Sequence, residues 1–183
     1  MLHQACPIVF QKAEKLKIRE LPAKQFSDLV NTLGVCYELK DLDFCIGGEQ
    51  SGQVPIDKAL EVLPSSLQLL KLRDCKFSVS TVGLITLRFA KTLRILRLKN
   101  VSNCNTVKNF SDLLRELPEL EVLYFGMDIS PLLLPMVSTH RKLNRFDARV
   151  PSYSEQKLEN FRQQFDNVSY DNRSQVLSLS NRH

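Results

Sequence analysis

The sequence predicts an α/β protein made of one strand–helix unit repeated along the chain. Three observations predict it. An apolar-x-x-apolar-x-apolar pattern recurs at near-regular intervals. Between its copies the apolar period changes from that of a strand to that of a helix. Two prolines and a glycine stand where those helices should stop.

The copies are Ala13-x-x-Leu16-x-Ile18, Leu39-x-x-Leu42-x-Phe44, Leu67-x-x-Leu70-x-Leu72, Leu93-x-x-Leu96-x-Leu98, Leu120-x-x-Leu123-x-Phe125, Leu143-x-x-Phe146-x-Ala148 and Phe165-x-x-Val168-x-Tyr170. Their starts lie 26, 28, 26, 27, 23 and 22 residues apart. Such a pattern is common in any apolar chain, so its phasing carries the signal, above all in the leucine-heavy copies at 67, 93 and 120. Positions 4 and 6 alternate as in a half-buried strand, with both side chains on one face.

Helical faces fall between these strands. Phe26, Leu29, Val30 and Leu33 form one, and Ile56, Ala59, Leu60 and Leu63 a second. Val107, Phe110, Leu113, Leu114 and Leu117 form a third, and Leu158, Phe161 and Phe165 a fourth. Ser111 and Asp112 read as polar residues near a helix start, Pro64 and Pro118 as stops, and Gly34 as a C-terminal glycine. Neither a strand nor a helix buries its apolar face alone. Stacked units line parallel strands on one side and helices on the other.

At Leu67–Phe77, LQLLKLRDCKF, the sequence resembles the leucine-rich-repeat family, with Cys75 in the Cys/Asn position of its consensus. The variant it is most similar to is the cysteine-containing repeat of F-box proteins, since Cys36 and Pro64 stand just before their strands. The resemblance covers about residues 13–170 and departs from the consensus at Gly47, Val101, Asp128 and Pro151. It implies a solenoid, a horseshoe arc with parallel strands on the concave side and helices on the convex side. It also implies protein–protein recognition, with the substrate-reading part of a ubiquitin-ligase adaptor as one setting and a stand-alone scaffold or regulator as the alternative.

Composition sets the remaining bounds. The 183 residues are one domain's worth of chain, 43% hydrophobic and 25% charged, which argues for a folded protein and against disorder. No apolar run approaches the ~18 residues that span a bilayer. Residues 1–12 lack the charged start and long apolar core of a secretory leader, so the expected location is the cytoplasm or nucleus. The five cysteines (Cys6, Cys36, Cys45, Cys75 and Cys104) form no CxxC pair and read as reduced thiols rather than disulfides or a zinc site. Residues 3–12 read as the helical half of a repeat, leaving the first strand as an open edge, and Leu177 and Leu179 read as one last edge strand. The segment Leu21–Phe26 is faintly like an F-box start but falls where the repeat demands a loop and helix.

The expected binding surface is the face opposite the core, at positions 3, 5 and 7 of each copy. It holds Lys15, Lys17 and Arg19, then Asp41, Asp43 and Cys45, then Leu69, Lys71 and Arg73. Ile95, Arg97 and Lys99 follow, then Val122, Tyr124 and Gly126, then Arg145, Asp147 and Arg149, and finally Asn167, Ser169 and Asp171. Nine of these are basic and four acidic, within a chain of net charge +5. Lys71, Arg73, Arg97 and Lys99 should form a contiguous basic patch, with Leu69, Ile95, Val122 and Tyr124 beside it. An apolar strip with a basic rim suits an acidic or phosphorylated protein segment. Nucleic acid is the lesser reading: Tyr124 is the one aromatic residue among these positions, and Asp41 and Asp43 interrupt the basic run.

No catalytic pattern competes. The chain has no P-loop, GxGxxG, GxSxG or HExxH, so no enzyme activity, cofactor or metal is expected. Gly47 and Gly48 read as a flexible loop, and His140 as a helix-end residue favoured by the dipole. Asn-x-Ser sequons at Asn100, Asn109, Asn167 and Asn172 read as chance in a chain without a leader.

Overall fold

The computed structural model describes residues 11–47, 56–102, 107–129, 133–150, 155–163, 165–171 and 173–181. In chain order these form β1 (Lys15–Pro22), a short 3-10 turn, α1 (Phe26–Leu33), β2 (Asp41–Gly47), α2 (Asp57–Val62), β3 (Leu69–Arg73), α3 (Thr81–Phe89) and β4 (Ile95–Lys99). There follow α4 (Val107–Glu116), β5 (Val122–Asp128), α5 (Leu134–Ser138), β6 (Arg145–Arg149), α6 (Glu155–Arg162), β7 (Asn167–Asp171) and β8 (Val176–Ser180). The fold is α/β, with one open sheet of eight strands, mostly parallel, in the order β1-β2-β3-β4-β5-β6-β8-β7.

Each copy of the pattern forms a strand, and its register repeats from strand to strand. Leu16, Leu42, Leu70, Leu96, Leu123 and Phe146 align in one row, and Ile18, Phe44, Leu72, Leu98, Phe125 and Ala148 in the next. From β2 to β6 every one of these is at most 1% exposed. Helices α1 to α5 pack side by side in chain order and share one core cluster with those rows, so they cover that face of the sheet. Entry into β2 to β6 is fixed the same way. The carbonyls of Glu14, Lys40, Gln68, Arg94 and Glu121 each accept two backbone N–H bonds from the next unit, at 2.8–3.1 Å.

Most of the predicted helical faces are buried: Phe26, Leu29 and Leu33 in α1, Ala59 and Leu60 in α2, Phe110, Leu113 and Leu114 in α4, Leu158 and Phe161 in α6; Val30 is only partly buried, and the side chain of Val107 lies outside the described residues. Two helices have no apolar face in the sequence reading. In α3, Val82, Ile85 and Phe89 are buried at helical spacing, but Leu84 and Leu87 make TVGLITLRF apolar nearly all round and hide its face. Helix α5 is too short to show a period, and Pro135 sits in its first turn, where a missing N–H does no harm.

Several expectations are corrected. The strands are not all parallel, and the tail is not an edge: β8 runs antiparallel between β6 and β7, which leaves β7 outermost. The link from β7 to β8 spans residues 172–175, far short of the dozen or so that a parallel crossover needs, so the two must form a hairpin. Leu177 and Leu179 are fully buried while Val168 and Tyr170 are half-buried, so the more apolar strand takes the inner place.

Helix α4 starts at Val107, which puts Ser111 and Asp112 inside it; Asp112 pairs with Arg115 at 2.7 Å on its exposed side. Gly34 is the C-cap of α1, as read, with helical angles (φ −63, ψ −16) and its N–H donating to the Val30 carbonyl at 3.1 Å. The left-handed positions are Glu20, Asp74, Asn100 and Gln175, with φ between 52 and 56. Glu20 lies in the irregularity of β1 between Ile18 and Leu21, while Asp74 and Asn100 directly follow the last residues of β3 and β4.

His140 directly follows Thr139, the C-cap of α5; its Nδ1 lies 3.1 Å from the Leu143 N–H and its Nε2 2.9 Å from the Leu117 carbonyl. The helical reading of residues 3–10, Cys6, Cys104, His3, His183, Gly48, Pro151 and Asn172 lies outside the described residues.

Candidate functional site

With positions 4 and 6 under the helices, the strand side chains at positions 3, 5 and 7 make up the opposite face. The register turns them into rows. Lys15, Asp41, Leu69, Ile95, Val122 and Arg145 form the first; Lys17, Asp43, Lys71, Arg97, Tyr124 and Asp147 the second. Cys45, Arg73, Lys99 and Gly126 form the third. Arg19 falls in the irregularity between Ile18 and Leu21 and pairs with no residue of β2, while Arg149 aligns with Asp128 across a second irregularity.

Lys71, Arg73, Arg97 and Lys99 are therefore neighbours, but they are not equivalent. Asp43 gathers the cations on its side: Lys71 at 3.1 Å, Arg73 at 2.9 Å and Lys17 at 3.8 Å. Burial of Asp43 acts to raise its pKa, yet the Lys71 ammonium and the Arg73 guanidinium outweigh it and hold the carboxyl below its usual range. Lys15 pairs with Asp41 at 3.1 Å, Arg145 with the buried Asp147 at 2.9 Å, and Arg149 with Asp128 at 3.4 Å. Among the described residues of this face, Arg19, Arg97 and Lys99 are exposed and have no ion-pair partner. Two of the three, Arg97 and Lys99, stand together on β4, beside the apolar strip.

The apolar strip is half-buried, with Leu69, Ile95 and Val122 side by side across β3, β4 and β5. Tyr124 leans over Gly126, where a Cβ would come within 2.8 Å of the ring, so the glycine makes room for the aromatic. Two shallow hollows flank the strip. One of about 320 Å3 lies between Lys17, Asp43, Leu69, Lys71 and Arg97. The other, of about 310 Å3, lies between Arg97, Val122, Tyr124, Asp147 and Ser178. Arg97 borders both. Val176 and Ser178 of β8 line the second hollow, and sequence reasoning missed them: alternation in VLSLS gives a strand but not its place beside β6.

Compared with protein-family models, curated proteins and solved structures, the chain matches none of them. The chemistry of the face therefore carries the functional argument.

The face offers fixed carboxylates already paired with cations, three unpaired cations of which two adjoin on β4, and an apolar strip. It can hold an anionic, partly apolar ligand. Among the described residues no group of three His, Cys, Asp or Glu could hold a metal ion, and no helix is long and apolar enough to cross a membrane. Cys36 and Cys75 are buried free thiols, and burial pushes the Cys75 thiol up to about 12. Both nitrogens of His140 are engaged by backbone groups.

Proposed function

We propose that the chain is a leucine-rich-repeat arc that recognises a protein partner through the open face of its sheet. The partner contributes an acidic or phosphorylated segment with apolar neighbours. The observation that carries this reading is the pair Arg97 and Lys99, exposed and without counter-charges, beside the strip Leu69, Ile95 and Val122. Desolvating an unpaired cation against a carboxylate or phosphate gains charge-assisted hydrogen bonds and breaks no internal ion pair. Lys15, Lys17, Arg19, Lys71, Arg73, Tyr124, Arg145 and Arg149 rim the same surface. Most of them steer an anionic partner while staying tied to their own aspartates.

The repeat assignment is supported by the single register that runs from β1 to β6 and by the motif at Leu67–Phe77. The resemblance of the repeats to those of F-box proteins makes the substrate-reading part of a ubiquitin-ligase adaptor the favoured setting. A stand-alone scaffold is the alternative. Nucleic acid is disfavoured because Asp41, Asp43 and Asp147 are set into the same rows as the cations.

The test is binding of wild type and Arg97→Glu/Lys99→Glu to arrays of acidic and phosphorylated peptides, alongside single-stranded and duplex oligonucleotides. The expected result is peptide binding that falls at least tenfold in the variant. Equal peptide binding by both proteins, or oligonucleotide binding that weakens steeply with salt in place of peptide binding, overturns the reading.

A further inference from the structure

Large apolar side chains that are strongly exposed are few among the described residues: Tyr37, Val79 and Leu87. Two of them belong to one place. Leu87, 83% exposed, projects from α3, and Val79, fully exposed, precedes the same helix. Between them, one turn from Leu87 on the same side of α3, stands Gly83. A methyl group at Gly83 would meet no heavy atom within 4 Å. The fold therefore does not require glycine there, and glycine weakens a helix relative to alanine. The helix's one charged residue, Arg88, sends its guanidinium to the Leu63 carbonyl at the end of α2. An exposed leucine beside an empty glycine, on a helix face without charge, is a knob next to a hole.

We propose that this face joins two copies of the chain, with their α3 helices antiparallel and the Leu87 side chain of each seated over the partner's Gly83. The neighbouring helix gives the charge complementarity. The buried positions Ile56, Ala59 and Leu63 along α2 and Val82, Ile85 and Phe89 along α3 are each 26 residues apart, so Gly83 and Leu87 stand at the levels of Asp57 and Glu61 on α2. A two-fold axis midway between Gly83 and Leu87 then passes α2 at the level of Ala59. The exposed Lys58 and Glu61 lie on either side of that level. Antiparallel apposition brings Lys58 beside the partner's Glu61, and Glu61 beside the partner's Lys58. The patch is self-complementary in shape and in charge, as a two-fold interface must be. It lies on the helix side of the sheet and leaves the face with Arg97 and Lys99 open.

Sedimentation equilibrium of the full chain across micromolar to millimolar concentration tests it. Wild type should rise from 21.0 kDa toward twice that mass. Gly83→Leu fills the hole and should raise the dissociation constant at least tenfold. Because that site is open, its thermal melt should not fall, which separates lost association from lost folding. Lys58→Glu should weaken the dimer, and Lys58→Glu/Glu61→Lys should restore it. A monomer at every concentration, or a dimer indifferent to Gly83→Leu, overturns the proposal.

Discussion

At the scale of single residues, Asp43 governs the candidate face. Its carboxylate lies between three cations contributed by β1 and β3, and its side chain is only 14% exposed. Replacing it by asparagine keeps the shape but leaves Lys17, Lys71 and Arg73 to repel one another. The expected loss is about 1 kcal/mol, since the cations are partly solvated and salt screens them. Because the folded carboxyl titrates below its unfolded value, the advantage of wild type is full at neutral pH and disappears as pH falls through the folded value. Urea midpoints of both proteins at pH 7 and pH 3 check it; equal midpoints at pH 7 would remove Asp43 from its role. The alternation of charge along β2 was legible as sequence. That one aspartate would serve cations of both neighbouring strands was not, because this depends on cross-strand register.

At the scale of elements, the strands were more legible than the helices. A strand needs only alternation, and Leu70/Leu72, Leu96/Leu98 and Leu123/Phe125 supply it without ambiguity. A helix is readable when one side is polar, as in α4 with Lys108, Asp112 and Arg115, and unreadable when its outer side is also apolar, as in α3. The element whose place surprised is β8. Leu179 aligns with Phe146 on one side and Val168 on the other and is completely buried, so β8 ties the last strand to the sheet. Leu179→Ala should cost about 2–5 kcal/mol through lost burial and the cavity left behind. Chemical denaturation measures this, and a cost below about 1 kcal/mol would show that β8 is an ornament rather than part of the core.

At the scale of the whole molecule, each unit packs chiefly against the units next to it: strand on neighbouring strand, helix on neighbouring helix. Stability is then a sum of local interfaces, and opening should start where a unit has a neighbour on one side only. β1 is such a unit among the described residues, and its Leu16 and Ile18 are only half-buried. Hydrogen exchange followed by mass spectrometry should find β3, β4 and β5 the slowest and β1 the fastest of the parallel strands. Uniform protection across the sheet would mean one all-or-none unit. A row of charged side chains on β1, Lys15, Lys17 and Arg19, suits an open edge that must not pair at random.

The sequence by itself determined the class of the fold, the phase of its strands from β1 to β7, and which face each strand turns to the core. Those properties depend on side-chain periods within a few residues, and the period of two leaves no freedom once alternate positions are apolar. It also determined the roster of the open face, including Lys71, Arg73, Arg97 and Lys99 as neighbours. The tertiary structure decided which of those cations are free, because Asp43 reaches only the strands on either side of it, β1 and β3, and leaves those of β4 unpaired. It decided the antiparallel insertion of β8, where a short link and a contest between Leu177/Leu179 and Val168/Tyr170 for the inner position set the order. It decided, too, that Gly83 is open and Leu87 exposed, since exposure belongs to what lies around a residue and not to the residue itself.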